Sequence, residues 1–253
     1  MSFLKKNIKK FYTILIDNNS CKIYFRNISP RRKVLEEETK NIYIKNKNFP
    51  DEIKKFIKDE ENSHICVLQT SKEQGLASQD CLDMSKYLLQ SIDTDVISYA
   101  NLKDINEIRN SFDFKVDEFI SPFKVLYFLY KNSALTNTSL YVVKFNETMA
   151  IMVANKNRVI DTKMVDLSEL YVKFYNDDLV LNSEELFLEV LKRYVDEFYK
   201  NHDEFIDKIY IYSSDDLGVE MGYYIFTKIF IRTEVSTLNL MDFINKINIK
   251  ENF

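Results

Sequence analysis

Residues 140–160, LYVVKFNETMAIMVANKNRVI, read as strand, tight polar turn, strand, second turn and third strand. Residues 11–27, FYTILIDNNSCKIYFRN, read as the same opening hairpin. In both stretches short runs rich in β-branched and aromatic residues are broken by asparagine-rich turns: Asn18-Asn19-Ser20, Asn146-Glu147 and Asn155-Lys156-Asn157. Asparagine tolerates left-handed backbone better than other side-chain-bearing residues, so these turns are chemically sound without glycine. Helical segments and then a short apolar strand follow each copy, so the chain states one α/β plan twice.

Outward from the first hairpin, residues 41–44 (NIYI) predict a third strand, and Pro50-Asp51-Glu52 open a helix, since proline and acids suit its exposed N–H groups. Residues 64–68 (HICVL) are apolar after the histidine, as in a strand covered on both faces. Residues 71–78 read as loop, 80–91 as helix, 95–99 as strand and 102–109 as a short helix. The segment 122–131 is apolar on most sides and predicts a buried helix, in the first lobe or at the lobe junction.

Residues 133–139 (SALTNTS) are the best linker. In the second half Asn182 and Glu185 form a capping box ahead of apolar residues that recur at three and four. Residues 207–212 predict a strand, 217–228 a helix, 229–231 a last strand and 238–247 a closing helix. The expected division is a first lobe through residue 132, with a small insertion around 71–112, and a second lobe over 133–253.

Composition excludes several classes. A net charge of −4 with interspersed signs argues against a nucleic-acid partner. Cys21, Cys66 and Cys81 have no paired spacing and read as buried free thiols of a reducing cytosol. His64 and His202 stand apart without a ligand set, so no metal site is expected. No apolar run is long enough to span a bilayer, and the lysine-rich start has no apolar segment behind it, so neither a span nor a secretion signal is expected.

The order of several pieces resembles the PilM family, actin-like cytoplasmic components of type IV pilus machines. A basic start (Leu4-Lys5-Lys6) precedes an apolar strand ending in Asp17, a polar turn, and Lys22 entering the next strand. Val116-Asp117-Glu118-Phe119 leads into an apolar helix from Ser121, like the Val-Asp signature of that family. The second meander and a strand–turn–helix over 209–224 complete the match. The cytoplasmic domain of the secretion protein GspL is similar to the same degree. The resemblance implies a two-lobed actin-like fold, each lobe an RNase H-like mixed sheet with flanking helices, as in actin and the heat-shock chaperones.

Such folds bind ATP through two Asp-x-Gly turns and a Gly-Gly adenosine motif. At the matching positions this chain has Asp17, Asn19 and Ser20 with Lys22 behind them, then Asn146 after Lys144 and Phe145, then Ser213 and Ser214 followed by two aspartates. Larger residues replace every glycine where the backbone must approach phosphate, and Lys144 replaces the second carboxylate. The cleft is therefore expected to be degenerate, with no catalytic residue, no metal and no cofactor; the alternative is an ATP/Mg-binding switch with little or no hydrolysis.

The implied role is a cytoplasmic scaffold peripheral to the inner membrane, in a type IV pilus, type II secretion or DNA-uptake (natural transformation) apparatus. Its implied partner is the short cytoplasmic tail of a bitopic PilN/GspM-like protein. A secretion-type ATPase and a second copy of the chain are further candidates.

Overall fold

The computed structural model describes residues 9–17, 20–44, 51–57, 62–78, 85–133, 137–170, 182–214 and 217–253. Its contacts separate two compact units: Met1–Ser71, Ala77–Val125 and Asn239–Phe253 form unit 1, and Lys72–Leu76 with Leu126–Leu238 form unit 2.

Unit 1 is built on β1 (Lys9–Asp17), β2 (Ser20–Ile28), β3 (Val34–Tyr43), α1 (Asp51–Phe56) and β4 (Ser63–Leu68). A short strand β5 (Gln74–Ala77), which groups with unit 2 as far as Leu76, precedes the antiparallel pair β6 (Tyr87–Asp93) and β7 (Val96–Asn101), then α2 (Leu102–Ser111) and β8 (Glu118–Ile120). Next comes α3 (Pro122–Lys131), inside which the division between units falls. The five-stranded sheet has the order β3-β2-β1-β4-β8. β1 runs antiparallel to β2 and parallel to β4, and β4 runs parallel to β8.

Unit 2 repeats the plan with β9 (Ser139–Phe145), β10 (Thr148–Ala154), β11 (Val159–Asp166), α4 (Ser183–Asn201), β12 (Lys208–Ser213), α5 (Val219–Ile229) and β13 (Arg232–Thr237). Its sheet order is β11-β10-β9-β12-β13, with the same antiparallel and parallel senses strand for strand. The duplication read in the sequence is thus a duplication of topology.

Apolar runs become central strands because both faces are covered. Every residue of β9 is buried. On one face of the unit 2 sheet, Leu140, Val142, Met149 and Ile151 pack with Phe187, Leu191 and Tyr194 of α4 and Ile225 of α5. α4 starts as expected: Asn182 accepts from the backbone of Glu184 and Glu185, and the Glu185 carboxylate accepts from the Asn182 N–H. In unit 1, Tyr12, Ile14, Ile23 and Val67 meet Ile53 of α1 and Ile105 of α2.

Four expectations need correction. The stretch 71–78, expected as loop, contains the strand β5. The stretch expected as helix over 80–91 contains the start of strand β6, and its residues 80–84, with Cys81, lie outside the described residues. The apolar run 229–231 is the end of α5: Phe230 caps it in the left-handed conformation, φ 61°, and the last strand starts at Arg232. The closing helix, α6 (Leu240–Asn252), groups with unit 1 and not with the second half of the chain. It buries Asn245, whose amide donates to the Phe11 carbonyl and to Thr13 Oγ1, both at 3.1 Å. Among the described residues no helix is long and apolar enough to cross a membrane.

Candidate functional site

In each sheet the opening hairpin turns at the carboxyl end of a parallel strand, the end where open α/β sheets bind ligands. In unit 1 the turn joins Asp17 to Ser20, which are directly paired across β1 and β2. Asn19 lies outside the described residues, as does Asn18. Ser20 is half-buried and also pairs with Tyr43 of β3. Lys22 lies between Leu15 and Asn41. The strands stay in register to the last pair, so only two residues connect them. The conformation of the connection itself lies outside the described residues.

In unit 2 the equivalent turn joins Phe145 to Thr148 through Asn146 and Glu147. Asn146 takes φ 48°, the left-handed geometry for which asparagine substitutes for glycine. Lys144, 7% exposed, bends its ammonium back to the Asn146 carbonyl at 3.1 Å. Ser213 lies beside Lys144 in the parallel β9–β12 pair and is buried. Its carbonyl accepts from the Leu238 N–H at 2.8 Å, and the Ser214 N–H donates to the Lys144 carbonyl at 3.3 Å. The structure therefore gathers Asn146, Ser213 and Ser214 at one end of unit 2, and Asp17, Ser20 and Lys22 at one turn of unit 1. A cation here whose hydrogen bond goes to its own turn serves that turn's geometry first. Among the described residues no group of three or more His, Cys, Asp or Glu side chains could hold a metal.

Two features escaped sequence reasoning. The Val-Asp signature has a local structural job: Asp117 accepts from the Ile65 N–H at 2.9 Å, and its own N–H donates to the Ile65 carbonyl at 2.9 Å, locking the entry of β8 to β4. Next to it, Glu118 meets Lys124 at 3.2 Å and His64 at 3.5 Å and accepts from Gln90, while Lys124, 3% exposed, also reaches Glu251 of α6 at 2.7 Å. Burial alone would raise the Glu118 carboxyl. The His64 hydrogen bond and the Lys124 charge outweigh it and bring the group down to about 2. No single segment carries this cluster, so no motif announced it.

Burial pushes the Cys21 thiol up to about 12 and raises that of Cys66 as well. Neither is a thiolate nucleophile at neutral pH. His202 stacks on Phe198, with ring centres 4.4 Å apart.

Residues 8–127 match a family model described as Domain of unknown function (DUF8569), and residues 177–253 match another described as Domain of unknown function (DUF8341). Comparison with curated proteins gives no match. Among solved structures, the chain is similar to a Bacteroides thetaiotaomicron protein described as having an actin-like ATPase fold and unknown function. That likeness has TM-score 0.58 and 9% identity and covers 100% of both chains. It is also similar to a chain of a PilM-PilN type IV pilus biogenesis complex, with TM-score 0.54 and 9% identity, covering 89% of this chain and 87% of that one. Identity at this level speaks to architecture alone. With the twice-used strand order, these likenesses establish a mixed α/β protein of actin-like fold.

Proposed function

We propose that this protein is a non-enzymatic scaffold of a type IV pilus, type II secretion or DNA-uptake apparatus, working at the cytoplasmic face of the inner membrane. In this role it holds the short cytoplasmic tail of a bitopic assembly protein. The observation that carries the reading is the state of the two hairpin turns. In unit 2, where the turn is described, it is a two-residue connection, and the lysine at the second carboxylate position hydrogen-bonds back to it; in unit 1 Asp17 pairs directly with Ser20. An actin-like fold without a phosphate cradle retains its surfaces and its rigidity, which are what a platform needs. The likeness to a PilM-PilN complex supports a membrane-protein tail as the partner class. Extended tails bind by backbone pairing with pockets for alternate side chains.

The test uses fluorescein-labelled peptides copied from the cytoplasmic tails of bitopic membrane proteins encoded beside this gene, titrated by anisotropy with the whole chain. One tail is expected to bind with micromolar affinity while Mg·ATP leaves the melting temperature unchanged. If no tail binds and millimolar Mg·ATP raises the melting point by several degrees, the protein is instead an ATP-binding switch. Saturation at a hundred times Kd is worth about 2.7 kcal/mol.

A further inference from the structure

β3 is the outermost strand of the unit 1 sheet and spans ten residues, VLEEETKNIY, nearly all exposed. Among the described residues nothing pairs with it beyond β2. Leu35 is 56% exposed and Tyr43 69%. Glu37 is bound by Arg26 at 2.6 Å and Lys40 by Glu52 at 2.9 Å, whereas no ion pair or hydrogen bond engages the Glu38 carboxylate among the described residues. Natural sheets blunt such an edge with charged side chains, proline, bulges or a covering segment; β3 carries charges and a bulge but no proline and, among the described residues, no covering strand. Here a one-residue register shift against Asn27 and Ile28 bulges the first end of β3, and the rest lies open.

We infer that the edge of β3 receives β3 of a second copy of this chain, antiparallel, with Thr39 on the two-fold axis. The register follows from charge. A two-fold axis relating antiparallel edges runs normal to the sheet and keeps each side chain on its own face. One residue then faces its own copy, and residues equally spaced about it face one another. Centring on Glu38 opposes two carboxylates. Centring on Glu37 opposes that pair and sets Glu36 against Glu38, and centring on Lys40 opposes two ammoniums. Centring on Thr39 instead sets Glu38 opposite Lys40 twice and Thr39 opposite Thr39, and brings the exposed Tyr43 of each strand toward the bulge at Leu35 of the other. Opposite charges, paired threonines and aromatic–aliphatic pairs directly across strands each stabilise a sheet, and like charges oppose it. Of these registers, only the one centred on Thr39 has no like-charge contact at its middle, and it uses the regular part of the strand from Glu36 onward. The pairing joins two five-stranded sheets into one of ten.

Sedimentation equilibrium of the whole chain, in low and high salt, tests this. Wild type is expected to dimerise, and salt to weaken the dimer by screening the ion pairs. Glu38→Lys alone and Lys40→Glu alone are each expected to weaken dimerisation by roughly tenfold or more. An equimolar mixture of the two single variants is expected to recover it, because each then meets its opposite charge across the edge. Thr39→Pro removes a ladder donor at the axis and should leave a folded monomer by circular dichroism. A wild type that stays monomeric at hundreds of micromolar overturns the proposal. So does a mixture that associates no better than its components.

Discussion

The strand at the hairpin edge of unit 2, β11, is sheltered. Tyr194 of α4 donates to Asp161 at 2.6 Å, Lys163 pairs with Glu197 at 2.6 Å, and the Leu76 N–H donates to Thr162 Oγ1 at 3.3 Å. Lys72 adds an ion pair with Glu169. Its counterpart in unit 1, β3, stands at the same place in the same strand order and faces solvent along most of its length. One plan used twice has thus been closed at one edge and left open at the other. Strand order fixes which edges exist, and the side chains laid over an edge decide whether it can take a partner. The units differ inside as well: unit 2 packs mostly apolar side chains on α4, whereas unit 1 sets a buried ion cluster between β8, α3 and α6.

The ion cluster offers the largest break. Lys124→Ala leaves Glu118 buried without its main cation. It should cost about 3–5 kcal/mol, a fall in melting temperature on the order of 10 °C by calorimetry. The same cluster gives a pH signature. The Glu118 carboxyl in the folded protein lies at about 2, below its ordinary value. Its stabilisation is therefore fully present above the ordinary glutamate range and is lost as pH falls toward 2. Urea denaturation at a series of pH values should show this loss in the wild type and a flatter acid limb in Glu118→Gln. A smaller effect is expected at the sheltered edge. Tyr194→Phe removes the hydrogen bond to Asp161, should cost about 2 kcal/mol, and should speed amide exchange in β11 more than in β9. Smallest is Asn182→Ala, which uncaps α4 and should cost about 1 kcal/mol in urea denaturation. Equal exchange in β3 and β11, measured where the wild type is monomeric, would count against the contrast between the edges.

Legibility in the sequence follows the range of the interactions. The hairpins over 11–27 and 140–160 and the capping box at Asn182 are local, and they were readable. Residues 87–91 (YLLQS) fit helix and strand alike, and pairing with β7 decided for strand. The run Ile229-Phe230-Ile231 looked like a strand because it is apolar. Yet Phe230 is a left-handed helix cap, and the true strand, RTEVST, is a half-exposed edge with little apolar content. The allegiance of α6 to unit 1 depends on Asn245 meeting backbone more than two hundred residues away, which no periodicity encodes. At the candidate site the missing glycines were visible. The inward bend of Lys144 was not, since it needs the turn to exist first.

That residues 239–253 complete unit 1 sets an order on the ribosome. Domains usually fold as they emerge, earliest first. Here the earlier half must wait for residues 239–253 before one face of its sheet is covered, while residues 126–238 already have the partners they group with. Synthesis therefore finishes the later half before the earlier one. Until those residues emerge, the nascent chain displays an uncovered face around Phe11 and Thr13, where a chaperone would find its hold.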